Sequence, residues 1–223
     1  MGPPLQPVHP GVFFDPPVAL PRGRHRLPRT AVLAAQRERL MVAFTELLAD
    51  RGFAAVAVAD VARRAGVSRS AFYVAFADKQ ACAFAAYDRF IEVLLAEVRD
   101  ALATTGSVDE VLGAAIGAYF STLRRDLVVG RAFQVEIDAV GPAARERRRR
   151  SLDRFAAALR DRHRRLRDAD PRLPDVGHVA FVGLIYAVRQ LACDLLEREA
   201  DPDFDALLPE LRPWIAAGFG PRP

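Results

Sequence analysis

Apolar residues recur at helical spacing along most of this chain. Between residues 36 and 51 they fall at Leu40, Met41, Phe44, Leu47 and Leu48, one face of a helix, and Gly52 supplies a stop. Two short helical segments follow at 58–65 and 68–76, with only Gly66 and Val67 between them. A longer stripe through Phe84, Tyr87, Ile91, Leu94, Leu95 and Val98 predicts a helix from about Asp78 to Thr104. Residues 108–125 and 127–139 carry two more. Pro142 opens another, with Leu152, Phe155, Ala156, Leu159 and Leu166 on one face. The segment 176–199 is apolar on nearly all sides in its middle, a pattern that requires burial between partners. A last stripe over 203–219 joins Phe204, Leu207, Leu208, Leu211, Trp214 and Ile215. No strict alternation is long enough for a strand, so the pattern predicts an all-α chain.

Proline marks the region outside this pattern. Eight of the 16 prolines lie within residues 1–28 and none between Pro28 and Pro142. Residues 1–30 therefore read as an extended or disordered tail. The 223 residues, half of them apolar, suffice for one large domain or a small one joined to a larger. The longest apolar run, 179–188, is about half of the roughly 20 residues a membrane helix needs, so no membrane partner is expected. No basic stretch followed by an apolar one suggests secretion, and Cys82 and Cys193 make no disulfide framework; a reducing cytoplasm is expected. The net charge is only +4, but its excess sits early: four Arg against one Asp in residues 1–30, and seven basic against five acidic groups in 31–80. A polyanion would be met at that end.

Residues 58–76 carry the most chemistry. Two short helices that cross steeply need a small residue at their closest approach, a glycine at the turn and apolar residues between them. Ala62 is the small residue, and Gly66 suits the left-handed backbone that ends the first helix. Val61, Ala65, Val67 and Phe72 are spaced to form the core between the two. Ser68, directly after the turn, is a favoured N-cap. Compact helical pairs of this kind also occur with no ligand at all. Arg69 in the first turn of the second helix, Tyr73 past its middle and Lys79, the sole lysine, shift the balance. They combine cations and a hydroxyl for phosphates with one side chain that forks onto guanine.

The Ala65-Gly66-Val67-Ser68 turn, the Phe72-Tyr73-Val74-Ala75-Phe76 run and Asp78-Lys79 stand in the register of a known domain. Over about residues 36–90 the chain resembles the DNA-binding domain of the tetracycline-repressor (TetR) family. The resemblance implies a three-helix helix-turn-helix DNA-binding domain at 31–80 and a larger helical ligand-binding and dimerisation domain at 81–223. Ser68, Arg69, Ser70 and Tyr73 would contact double-stranded DNA from the recognition helix, and Lys79 would meet a phosphate. Two positions depart from the family pattern: Ala57 replaces a capping Thr or Ser, and Ala71 a Thr that often touches the DNA backbone. Arg22, Arg24 and Arg26 form a basic arm for the minor groove or for phosphates, with a solubilising tail as the plain alternative.

The implied function is a transcriptional regulator: a homodimeric repressor, cytoplasmic and nucleoid-associated, released from a near-palindromic operator by an unknown small molecule. Alternatives are an activator, a ligand-independent regulator and, as a minor reading, a cysteine-based redox sensor. Val182, Tyr186 and Gln190 on 176–199, with Leu207, Leu211 and Trp214 on 203–219, are the dimerisation candidates for a four-helix interface across a twofold axis. Core helices of a monomer would look similar. Phe90, Tyr119, Phe120 and Phe133, with Glu136 as polar anchor, could line an apolar ligand cavity, or be plain core. The run from Arg145 to Arg150 reads as a solvated helix face, and Asp201, Asp203 and Asp205 as caps rather than a metal site. The four histidines are scattered, and no metal, phosphate-loop or nucleophile motif is found, so neither an enzyme nor a cofactor is expected.

Overall fold

The computed structural model of the protein describes residues 6–16 and 28–221. The described residues form α1 (Arg29–Ala55), α2 (Val58–Ala65), α3 (Arg69–Ala75), α4 (Lys79–Leu102), α5 (Val108–Arg125), α6 (Leu127–Gly130), α7 (Pro142–Ala169), α8 (His178–Arg198) and α9 (Leu207–Phe219), with no strand among them. The helix expected over 127–139 is irregular. After α6 it widens into a π-turn at Arg131–Val135 and tightens into a 3-10 turn at Glu136–Val140. Val128, Val129, Val135, Ile137 and Val140 are stiff β-branched residues that support a regular helix poorly.

The chain divides into two compact units. One gathers the residues up to Phe90 with Asp126–Ala144; the other holds Ile91–Arg125 and the chain from Arg145 onward. The first unit thus reaches beyond the boundary expected at residue 80 and takes in a segment from mid-chain. Its central element is α1, where Leu40, Met41, Phe44, Leu47 and Leu48 are buried as their spacing predicts. The helix passes the expected stop with a kink: Gly52 has φ 70°, and a Cβ there would stand 3.1 Å from Glu136 Oε2. Phe90 meets Phe133 at 5.4 Å between ring centroids, and Tyr87 lies 6.0 Å from Phe133.

The disordered tail expected over residues 1–30 is corrected at Val8–Asp15. Phe13 is 2% exposed, and its ring lies 5.3 Å from that of Phe90. Phe14 and Val8 are buried too. The Val8 N–H donates to Glu46 Oε1 at 3.0 Å, the His9 N–H to Asp126 Oδ2 at 2.7 Å and the Asp15 N–H to Glu38 Oε1 at 3.1 Å. Burial pushes the Asp126 carboxyl above its ordinary range, against the pull of the Val129 and His9 N–H groups. Prolines made this segment read as tail, but three apolar side chains and three anchored N–H groups hold it as a strap.

The second unit is stitched along α5 and α9. Ser107 and Glu110 form a reciprocal capping box at the start of α5, with Ser107 N–H to Glu110 Oε2 at 2.8 Å and Glu110 N–H to Ser107 Oγ at 3.3 Å. Phe120 stacks on Phe204 with centroids 5.6 Å apart and planes 6° from parallel. His163 is buried, its Nε2 3.0 Å from the Phe219 carbonyl oxygen, beside the Phe181 ring. Helix α8 is long and apolar enough by composition to span a membrane, yet only a third of its most apolar stretch is buried. Val179 is 81% exposed, so the all-round burial inferred for this helix is not met within one chain.

Truncating the strap's aromatic anchor tests this description. Phe13→Ala is expected to cost about 3 kcal/mol, the usual scale for an emptied aromatic site. Urea unfolding should show a lower midpoint, with the native helical signal unchanged before the transition.

Candidate nucleic-acid interface

Helices α2 and α3 meet through a turn whose hydrogen bonds follow from Gly66. This residue adopts φ 66° and ψ 35°, its N–H donates to the Arg63 carbonyl at 3.1 Å, and the Val67 N–H to the Ala62 carbonyl at 3.0 Å. That pair of bonds is a Schellman closure, which satisfies carbonyls left open at the helix end. A Cβ at Gly66 would meet only the movable tip of Arg39, at 2.7 Å from Nη2, so the positive φ rather than space is what calls for glycine. Val61, Ala62, Ala65 and Phe72 are buried between the helices, while Val67 is half-buried. The Ser68 hydroxyl accepts the Ala71 N–H at 3.1 Å and sits 2.8 Å from the Ser70 hydroxyl, which makes it the N-cap of α3. At α2 the N-cap is Ala57, with no side-chain bond.

Two cations of the same unit brace helix ends. Arg37 Nη1 donates to the Ala75 carbonyl at the end of α3 at 2.8 Å, and its guanidinium lies 4.1 Å over the Phe76 ring. Lys79 Nζ donates to the Phe53 and Val56 carbonyls at the end of α1, both at 2.9 Å, and lies 4.3 Å from the Phe53 ring centre. Each combines a helix C-terminus with an aromatic face, both of which favour positive charge. Two of the three Lys79 donors are thus engaged within the protein, which leaves one for the phosphate contact expected of it.

The outer face of α3 is open. Arg69 and Ser70 are exposed, Tyr73 is 51% exposed and Val74 63% exposed. These residues stand together, as the sequence predicted for Arg69, Ser70 and Tyr73. Val74 was missed, although its place one turn beyond Ser70 was the available signal. Its methyl groups suit contact with the thymine methyl in a major groove. Arg22, Arg24 and Arg26 lie outside the described residues.

The other candidates divide between the units. Phe90 and Phe133 are core of the first, and Glu136 lies by the α1 kink. In the second unit Tyr119 lies 5.6 Å from Phe120, which lines a groove of about 440 Å³ with Phe204, Leu208 and Arg212. Among the dimerisation candidates, Trp214 is 45% exposed, Tyr186 is exposed, and Val182 and Leu207 are half-buried. Gln190 donates to Asp194 on its own helix at 2.8 Å. Leu211 is buried in its own unit beside Ile215 and so offers no outward surface, a correction to the stripe, whose breadth exceeds one exposed face. Cys82 and Cys193 are buried, and burial pushes both thiols up, which disfavours the reactive thiolate that a redox sensor needs.

Residues 40–86 match the family model for bacterial regulatory proteins of the tetR family. Over these residues the chain is similar to the DNA-binding domain of the TetR family. A curated relative, the HTH-type transcriptional activator FasR of Mycolicibacterium smegmatis, is 35% identical over 105 residues, 47% of this chain and 46% of that protein. The match thus spans about half the length of the relative. The fold is shared with the fatty acid degradation regulator FadR from Bacillus halodurans, at TM-score 0.72 and 15% identity over 89% of this chain and 100% of that one. It is shared equally with FadR from Bacillus subtilis, solved in complex with stearoyl-CoA, at TM-score 0.72 and 16% identity over 81% and 97% of the chains. NalD, the secondary repressor of the MexAB-OprM multidrug efflux pump in Pseudomonas aeruginosa, gives TM-score 0.66 at 18% identity over 85% and 98%.

The two hydrogen bonds of Lys79 make it a stability residue of this helix-turn-helix unit. Lys79→Ala is expected to lower unfolding stability by about 1–3 kcal/mol in the absence of any DNA. Thermal melts of the free protein read this directly; an unshifted melt would return Lys79 to a pure contact role.

Proposed function

We propose that the chain is a ligand-responsive, DNA-binding transcriptional regulator that works as a homodimer. The observation that carries this reading is the exposed face of α3, with Arg69, Ser70, Tyr73 and Val74 held outward by a capped and glycine-closed turn. A recognition helix inserts its first turns into the major groove, and dimers place two such helices about 34–36 Å apart, one helical turn of DNA. Arg69 forks onto guanine, while the Tyr73 hydroxyl and the remaining donor of Lys79 serve phosphates. The apolar face of α8 through Val179, Val182 and Tyr186, with Trp214 on α9, is covered by a second copy of the chain.

The second unit senses a small molecule, and the B. subtilis FadR neighbour with its bound stearoyl-CoA supports an effector of some kind. Effector binding favours a state with the wrong spacing and weakens DNA affinity through a coupling of about 1–3 kcal/mol. Release by an effector makes repression the first reading. Activation is the second, favoured by the name of the M. smegmatis relative. Transcription in vitro from the bound promoter, with and without the protein, separates them.

Selection of binding sites from random duplex should return a near-palindrome. Against it, Arg69→Ala is expected to lose about 1–3 kcal/mol and to relax preference at one position per half-site. Anisotropy titrations on single-base variants measure both effects, and an unaltered preference would remove Arg69 from base reading. A Tyr186→Arg, Trp214→Glu variant is expected to sediment as a monomer and to lose operator binding while keeping its helical circular-dichroism signal.

A further inference from the structure

A groove of about 530 Å³ lies in the second unit between the C-terminal end of α4 and the middle of α7. Four arginines line it, Arg99 on α4 and Arg154, Arg162 and Arg165 on α7, against one carboxylate, Asp161. The three on α7 are spaced by eight and three residues, which sets them along one face of that helix. Ala157 and Ala158 leave the space between the helices unfilled, and Leu102 gives it an apolar base.

Carboxylates are unevenly shared among the arginines of this unit. Arg124 pairs with Asp205, Arg125 with Glu97, Arg149 with Glu146 and Arg212 with Asp109, while Arg160 and Arg164 of α7, outside the groove lining, have no such pair among the described residues. None of the four groove arginines has such a partner among the described residues. Arg162 donates Nη2–H to the Thr104 carbonyl at 2.8 Å, and its Nε is buried without an acceptor. Like charges gathered in a concavity repel one another and focus a positive potential there, an arrangement that an anion relieves. Guanidinium forks match phosphate oxygens two at a time, and their planes stack on aromatic rings. The volume falls within the roughly 300–1,000 Å³ of small-molecule sites, too large for one inorganic phosphate alone.

We propose that this groove binds an organic polyphosphate, either a nucleoside triphosphate or a coenzyme A derivative, through its phosphate groups. The phosphates span the arginines of α4 and α7, and the organic part rests on Leu102 and the two alanines. The proposal names the ligand class of the effector-sensing unit, and only its regulatory consequence rests on that reading. Calorimetry in the absence of DNA keeps the two separate, because a chain with no operator can still bind the phosphate.

The full chain is titrated with ATP, with coenzyme A and with inorganic triphosphate. One of the organic ligands should bind at one per chain, more tightly than triphosphate and more weakly as salt rises; the tighter of the two identifies the source. An Arg99→Ala, Arg165→Ala variant, both positions exposed, should melt as the parent does and bind at least about tenfold more weakly, the scale of one charged hydrogen bond. Arg149→Ala, on the same helix outside the groove, should bind as the parent does. Absence of heat with both organic ligands overturns the proposal. So does an equal loss in Arg149→Ala, which would mean bulk charge. Weakened binding of random duplex DNA by the double variant, with organic phosphate binding unchanged, would assign the groove to nucleic acid and overturn it too.

Discussion

A carboxylate withdrawn from water in the middle of α1 organises the first unit. Glu46 is buried, and a buried carboxylate is tolerated only when its oxygens are bonded and its charge is met. Oε2 accepts Arg64 Nε at 2.7 Å and Oε1 the Val8 N–H at 3.0 Å. The first bond ties α1 to the last turn of α2, two residues before the glycine that redirects the chain into α3. The second ties α1 to the N-terminal strap. Glu46 also raises the pKa of the Arg64 guanidinium, first through that hydrogen bond. The orientation of the outward face of α3 follows from this fixed end of α2, and from Arg37 holding the Ala75 carbonyl at the other end of α3.

Much of this was legible because its causes are local. Gly66 announces a left-handed residue, Ser68 an N-cap and the Val61 to Phe72 spacing a small core. Each depends on residues within a few positions of one another. The helices were legible for the same reason, apart from 127–139, where a helical period overlies residues too stiff at χ1 to sustain it. What escaped the sequence depends on partners far along the chain. Lys79 looks like a phosphate ligand alone until the carbonyls of Phe53 and Val56 turn out to claim two of its three donors. Phe13 and Phe14 sit among prolines, and local rules respond to the prolines. Glu46 has the outward look of any charged residue in a helix until its surroundings are known.

The candidate recognition face shows the same division. Arg69, Ser70 and Tyr73 could be anticipated from their places on the second helix of the resembled domain, while helical spacing alone sets only Ser70 opposite Phe72. The pocket candidates could not be sorted in this way, because an aromatic residue at core spacing has the same pattern whether it touches a ligand or another side chain. Phe90 and Phe133 prove to touch each other. The arginines of α7 were legible as a composition, but their gathering with Arg99 of α4 around one groove emerges only from the packing of the two helices.

The make-up of the first unit has a consequence for synthesis of the chain. Phe90 packs on Phe133, and the His9 N–H bonds Asp126, so the core of this unit is closed by residues that leave the ribosome well after α3. Until then Phe13, Tyr87 and Phe90 lack their covering segment, and a nascent chain exposing such a surface is prone to aggregate. The first unit therefore cannot close as a whole until the middle of its own polypeptide has arrived.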